Sequence, residues 1–181
     1  MKAIKTIVKC YQVGTVVYYG VKAYKAHQTK AFLKDDELTE RLAEVVIKKM
    51  TPILADHYGV DLSTVSYSWG EQSPVLAFEP LNAMAVTYTN PGVKGAHIHY
   101  YTDRVKETTL AKMGLLSIQD YAYAILELIA HELVHVRQHQ QGINLATTSL
   151  WKTETPAYAL GMMKGKQFKH EVKAILNELG L

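Results

Sequence analysis

SIQDYAYAILELIAHELVHVRQHQQG, residues 117–142, is the stretch on which the reading of this chain turns. Ile118, Tyr121, Ile125, Leu128, Ile129, Leu133 and Val136 recur at helical spacing, Ser117 and Asp120 suit a cap region, and Gly142 supplies a stop. The first half is apolar around most of its circumference. The spacing therefore predicts a buried central helix over about 117–141. Inside it stands His131-Glu132-Leu133-Val134-His135. Charged and titratable groups are costly in such a helix unless they have partners.

The spacing supplies one. Residues four apart lie on one face of a helix, so His131 and His135 can offer their imidazoles to a single ion. Glu132 is one step round, placed to hold a water bound to that ion. Zinc lowers the pKa of such a water to about 7, and a carboxylate can then take its proton. Two ligands and a general base make a mechanism together.

A catalytic zinc takes three protein ligands and keeps one position open. His139 continues the stripe, but residues eight apart on a helix are separated by about 12 Å along its axis. It cannot share an ion with His131. A longer motif with a third histidine also fails, because Gln138 stands where its glycine would be and Gln141 where the histidine would be. Glu154 is the better third ligand. It lies at the expected start of a helix, in Thr153-Glu154-Thr155-Pro156 with Pro in the first turn, that could pack antiparallel to the motif helix. Ala157, three residues on, would allow close approach. Glu171 is the reserve, and Asp120 is at the wrong end of the helix. His97 and His99 share one face of an expected strand and could hold a second ion, but two solvent-facing histidines near a cleft are the reading preferred.

Outward from the motif, Leu38, Leu42, Val45, Val46 and Met50 predict a helix opened by Asp35-Asp36-Glu37, kinked at Pro52 and closed by Gly59. The middle third changes period. Val65/Tyr67/Trp69, Met84/Val86/Tyr88 and Ile98/Tyr100 alternate between turn signals at Gly70, Ser73-Pro74 and Asn90-Pro91-Gly92, which reads as a small antiparallel sheet of about three strands. A last helix is expected over about 169–179. Helix, sheet, buried helix and further helices make an α+β domain over 35–181. Residues 1–34 form a separate N-terminal segment, read as part of the fold or a surface helix, with a plug or anchor as alternatives.

Bulk properties narrow the function. The chain has 181 residues, 20 basic and 17 acidic, and a formal charge of +3, too small to demand an anionic partner. Lys164, Lys166, Lys169 and Lys173 gather near the C-terminus, but a solvated helix face is preferred to a nucleic-acid patch. The single cysteine, Cys10, excludes an intrachain disulfide and a cysteine zinc cage. A disulfide-free core suits the cytoplasm, and secretion stays compatible with it. The apolar run Cys10–Val21 is diluted by Gln12, Gly14, Thr15 and Gly20, short of the roughly 20 residues a membrane span needs.

His131-Glu132-Leu133-Val134-His135-Val136-Arg137-Gln138 with downstream Glu154-x-x-Ala157 resembles the zincin metallopeptidases, and within them the gluzincins, over about 83–161. The nearest resemblance is to minimal gluzincins and small predicted metallopeptidases of bacteria and phages. It implies a zincin-like domain with an antiparallel or mixed sheet, one Zn2+ on His131, His135 and Glu154, Glu132 as general base, and a peptide or protein substrate. It also implies that an edge strand holds the extended substrate above the motif helix, and Ala96–Tyr101 is expected in that place. Two features depart from the pattern. Many relatives carry an aspartate four residues after the glutamate ligand to support a zinc histidine; here that residue is Tyr158. The family also supplies a His or Tyr to stabilise the oxyanion, for which Tyr158, His170, Tyr100 and Tyr101 are candidates. The leading expectation is a zinc metallopeptidase; the alternatives are a zinc-stabilised binding module and a nucleic-acid-associated protease.

Overall fold

In the computed structural model, residues 32, 34–71, 83–90, 92–111, 118–165 and 167–181 are described, with backbone only at 109–111 and 162–165. The first long element, α1 (Asp36–Tyr58), has the ends its sequence asks for. The Asp35 carboxylate accepts the Leu38 N–H at 3.0 Å, and Asp36 and Glu37 follow in the first turn, where the helix dipole favours acids. Gly59 closes it with φ 66°, a left-handed conformation that an L side chain would strain. The helix runs through Pro52 without ending. Leu42, Val46, Met50 and Leu54 are fully buried along one stripe.

A short 3-10 turn, Leu62–Thr64, leads into β1 (Val65–Trp69); β2 (Ala85–Thr89) and β3 (Ala96–Tyr100) complete a sheet of order β1-β3-β2. β3 pairs antiparallel with β2 but parallel with β1. The sheet is mixed rather than antiparallel, and β3 is its centre rather than its edge. Alternation of apolar residues reports which face a side chain takes, not which strand lies beside it. β1 and β2 do not pair with each other, and β3 lies between them. Ala96, Ile98 and Tyr100 point into the core. His97 and His99 share the opposite face as expected; His97 is half-buried, whereas His99 is fully buried rather than solvent-facing, with the Tyr101 ring 4.6 Å from its own and Ser68 Oγ at its Nδ1.

Next comes α2 (Thr102–Ala111), a helix the sequence pattern did not announce. Among its described side chains Val105 is the one buried apolar residue, so the segment carries little periodic signal. Then follow α3 (Ile118–Gln140), α4 (Leu150–Gly165) and α5 (Lys169–Glu178). The helix bearing the motif is the central element, with Tyr121, Ile125, Leu126, Ile129, Leu133 and Val136 buried against its neighbours. α4 begins at Leu150, a turn earlier than expected, which places Pro156 inside the helix and leaves the Lys152 carbonyl without its intrahelical donor. Lys169 and Lys173 are exposed on α5, and Lys169 Nζ stands 5.7 Å from the Tyr123 ring centre. This is an α+β domain. Phe32 packs edge-on against Tyr121 within the core and Lys34 is exposed; residues 1–31 and 33, Ser73-Pro74 and Ser117 lie outside the described residues. No helix among the described residues is long and apolar enough to cross a membrane.

The contact that positions the site is α4 on α3. Ala157 is fully buried, and a Cβ placed on Gly161 would stand 3.3 Å from both the Glu127 carbonyl oxygen and the His131 nitrogen. Those are backbone atoms of a buried helix and have little room to yield. Gly161→Val is therefore expected to destabilise the protein by about 1–3 kcal/mol through overpacking, read as a lower denaturant midpoint; unchanged stability would mean that the two helices are not held this close.

Candidate metal centre

The spacing of four on α3 stacks the imidazoles of His131 and His135, and the close approach of α4 carries Glu154 over them. The two Nε2 atoms are 3.1 Å apart. Glu154 Oε2 lies 3.4 Å from His131 Nε2, and Glu154 Oε1 lies 3.3 Å from His135 Nε2. These are the residues among those described whose ligand atoms converge as a metal-binding set. Ligands at 2.0–2.1 Å from a tetrahedral zinc ion are separated from one another by about 3.3 Å. The imidazole–imidazole distance and the distance from each ring to its nearer Glu154 oxygen are close to that figure, although the two rings face different oxygens of the carboxylate, and two imidazoles with one carboxylate are a donor set that zinc accepts.

Electrostatics favours neutral imidazole at His131. Burial pushes its pKa down to about 4, His135 beside it pushes the same way, and Glu154 opposes them. An unprotonated ring keeps a lone pair for a metal. A backbone hydrogen bond with Ala157 also acts on His131 and favours its N–H. His135 is supported separately: its Nδ1 lies 3.0 Å from Gln138 Oε1, and Gln138 Nε2 donates to the Thr153 carbonyl at 2.9 Å.

Glu132 is buried beside the ligands. Its Oε2 accepts the Thr87 hydroxyl at 2.6 Å, and the same hydroxyl lies 3.3 Å from the Glu132 carbonyl. Burial raises its pKa to about 6, with the Thr87 hydrogen bond and His135 pulling down and Glu154 pushing up. A carboxylate so placed can both accept and return a proton near neutrality.

All four residues line an open cleft of about 690 Å³. Ala83 to Thr87 form one wall, so the strand beside the motif is β2, not β3. Among the described residues β2 pairs on one side alone, with β3. Leu145, Leu150 and Tyr158 stand on the α4 side, and Asp120 and Glu127 extend the cleft along α3. Asp120, expected at the wrong end of the helix, does line the cleft but is not one of the converging ligands.

The remaining candidates separate clearly. The Tyr158 ring lies 4.6 Å from that of His131 and is largely exposed in the cleft. His170 is exposed on α5 and lines no part of the cleft, and Tyr100 and Tyr101 are buried away from it. His139 Nε2 meets the Val93 carbonyl at 2.6 Å and ties α3 to the β2–β3 connection. Glu171 stands apart from the ligand group on α5. His97 and His99 hydrogen-bond to Ser68 Oγ at 2.9 and 2.7 Å instead of converging on a third ligand. Thr87 and Gln138 went unrecognised as site residues. Gln138 could have been found, three residues after His135 on the same helix, whereas nothing in the sequence pairs Thr87 with Glu132. No family model, curated protein or solved structure matches the chain.

The depressed His131 pKa has a pH consequence. Unfolding restores the ordinary value of 6.5, so the folded state is favoured while the ring is neutral and loses that advantage as pH falls from about 6.5 through about 4. His131 thus contributes a loss of stability over that window in metal-free protein, opposed by Glu132, whose raised pKa acts in the other direction, and His131→Phe should remove the His131 part of the profile in denaturant titrations. An equal slope in both proteins would remove His131 as its source.

Proposed function

We propose that this chain is a zinc-dependent peptidase of the gluzincin kind, with His131, His135 and Glu154 holding one Zn2+. The observation that carries the reading is the convergence of donor atoms, two Nε2 atoms 3.1 Å apart with a Glu154 oxygen 3.4 Å from one and the other Glu154 oxygen 3.3 Å from the second, and a buried carboxylate at their side. A zinc ion held there would lower the pKa of water and polarise a carbonyl.

The residues of the chain divide the remaining work. Thr87 fixes one oxygen of Glu132, which orients the carboxylate to receive a proton and deliver it to the departing amine. β2, paired on one side alone, offers backbone donors and acceptors along its free edge at Ala85–Thr87 to an extended peptide, the part that the resemblance implies for Ala96–Tyr101. The Tyr158 hydroxyl, at the rim beside His131, serves to stabilise negative charge developing on the carbonyl oxygen. Glu132 also argues against a purely structural zinc module, which would have no use for a buried, ionisable carboxylate beside its ligands.

Glu132→Gln is expected to keep zinc while peptide hydrolysis falls by about 100- to 10,000-fold. His135→Ala should lose both. Peptide-library cleavage with metal analysis reads the two outcomes, and hydrolysis surviving in Glu132→Gln would contradict the mechanism. Thr87→Val removes a hydrogen bond that lowers the Glu132 pKa, so the acid limb of the pH–rate profile should move to higher pH. A limb that stays in place would show that the hydroxyl does not tune this base.

A further inference from the structure

Resting on the zinc-site reading above, we propose that Gln138 is a positioning residue that locks the tautomer of His135, so that its Nε2 lone pair points at the metal. The argument starts from a group with no freedom, the Thr153 carbonyl, which can accept hydrogen bonds but not donate them. Gln138 approaches it at 2.9 Å, so the amide must turn its NH2 that way. The amide oxygen then faces His135 Nδ1 at 3.0 Å and can only accept. Nδ1 therefore carries the ring proton, and Nε2, which faces His131 and Glu154, is left bare.

His135, Gln138 and Thr153 are all nearly inaccessible to solvent. Water is thus a poor substitute for either hydrogen bond, and breaking one leaves a buried polar group unsatisfied. The chain also joins the two halves of the site: Thr153 immediately precedes Glu154, so one amide on α3 fixes a histidine ligand and grips the backbone next to the carboxylate ligand. Docking of α4 and the direction of the His135 lone pair become a single condition.

The test is nitrogen-15 NMR of histidine-labelled, metal-free protein at mildly alkaline pH, together with zinc affinity by chelator competition. In the wild type, His135 should be in the Nδ1–H form. Gln138→Met, close in size but without donor or acceptor, should release the tautomer toward Nε2–H and weaken zinc by about 10- to 100-fold. Gln138→Glu, which restores an oxygen opposite Nδ1, should return the ring to the Nδ1–H form. A wild-type ring protonated at Nε2, or a folded Gln138→Met protein with unchanged tautomer and zinc affinity, would overturn the proposal. The wild-type spectrum decides the tautomer even if a variant does not fold. Absence of zinc binding by the wild type would sink the metal reading while leaving the tautomer measurement to stand on its own.

Discussion

The packing of α4 on α3 is the constraint from which the site follows. The two helices touch where Gly161 has no Cβ and Ala157 only a methyl group, close enough that a side chain on Gly161 would press on backbone atoms at Glu127 and His131. With a larger residue there, Glu154 would stand off from the histidines and the three ligand atoms would no longer converge. The same proximity brings the Thr153 carbonyl to Gln138 and the Ala157 backbone to His131. Ligand geometry and ligand orientation both derive from one helix–helix contact.

The sheet contributes from the other side. β2 lies against the motif helix, and its Thr87 hydroxyl grips Glu132, the buried carboxylate beside the converging side chains. Two helices thus converge the three ligand atoms, while a helix and a strand hold the carboxylate. A buried glutamate with its pKa raised to about 6 is tolerated because the Thr87 hydroxyl, the His135 imidazole and the open cleft adjoin it. The energetic cost of placing these polar groups beside Leu133, Val134 and Val136 gives a physical reason to expect function at this point of the core.

What could be read from the sequence was whatever depends on period. The 3.6-residue repeat located α1, α3 and α5 to within about two residues at either end, and the spacing of four put His131 and His135 on one face. Spacing also removed His139 and gave Ala157 a packing role. Features that depend on which segments become neighbours were hidden. The place of β3 at the centre of the sheet, the burial of His99 and the reach of Thr87 to Glu132 are all long-range pairings, to which alternation along a strand is blind. α2 was missed because few of its residues are apolar, and α4 starts early because Pro156 is accommodated inside the helix rather than in its first turn. Gln138 was seen only as a break in a longer motif, though its place one turn from His135 was in plain view.

The central claim is that one zinc ion is held by two imidazoles and one carboxylate at the α3–α4 contact. X-ray absorption on stoichiometrically loaded protein tests it most directly. The account predicts one zinc per chain, two imidazole nitrogens and the remaining ligands oxygen, at about 2.0–2.2 Å. It also predicts that the imidazole signal falls from two rings to one when His131 is replaced by alanine. Failure to take up one equivalent of zinc, or a spectrum unchanged by that replacement, would contradict it.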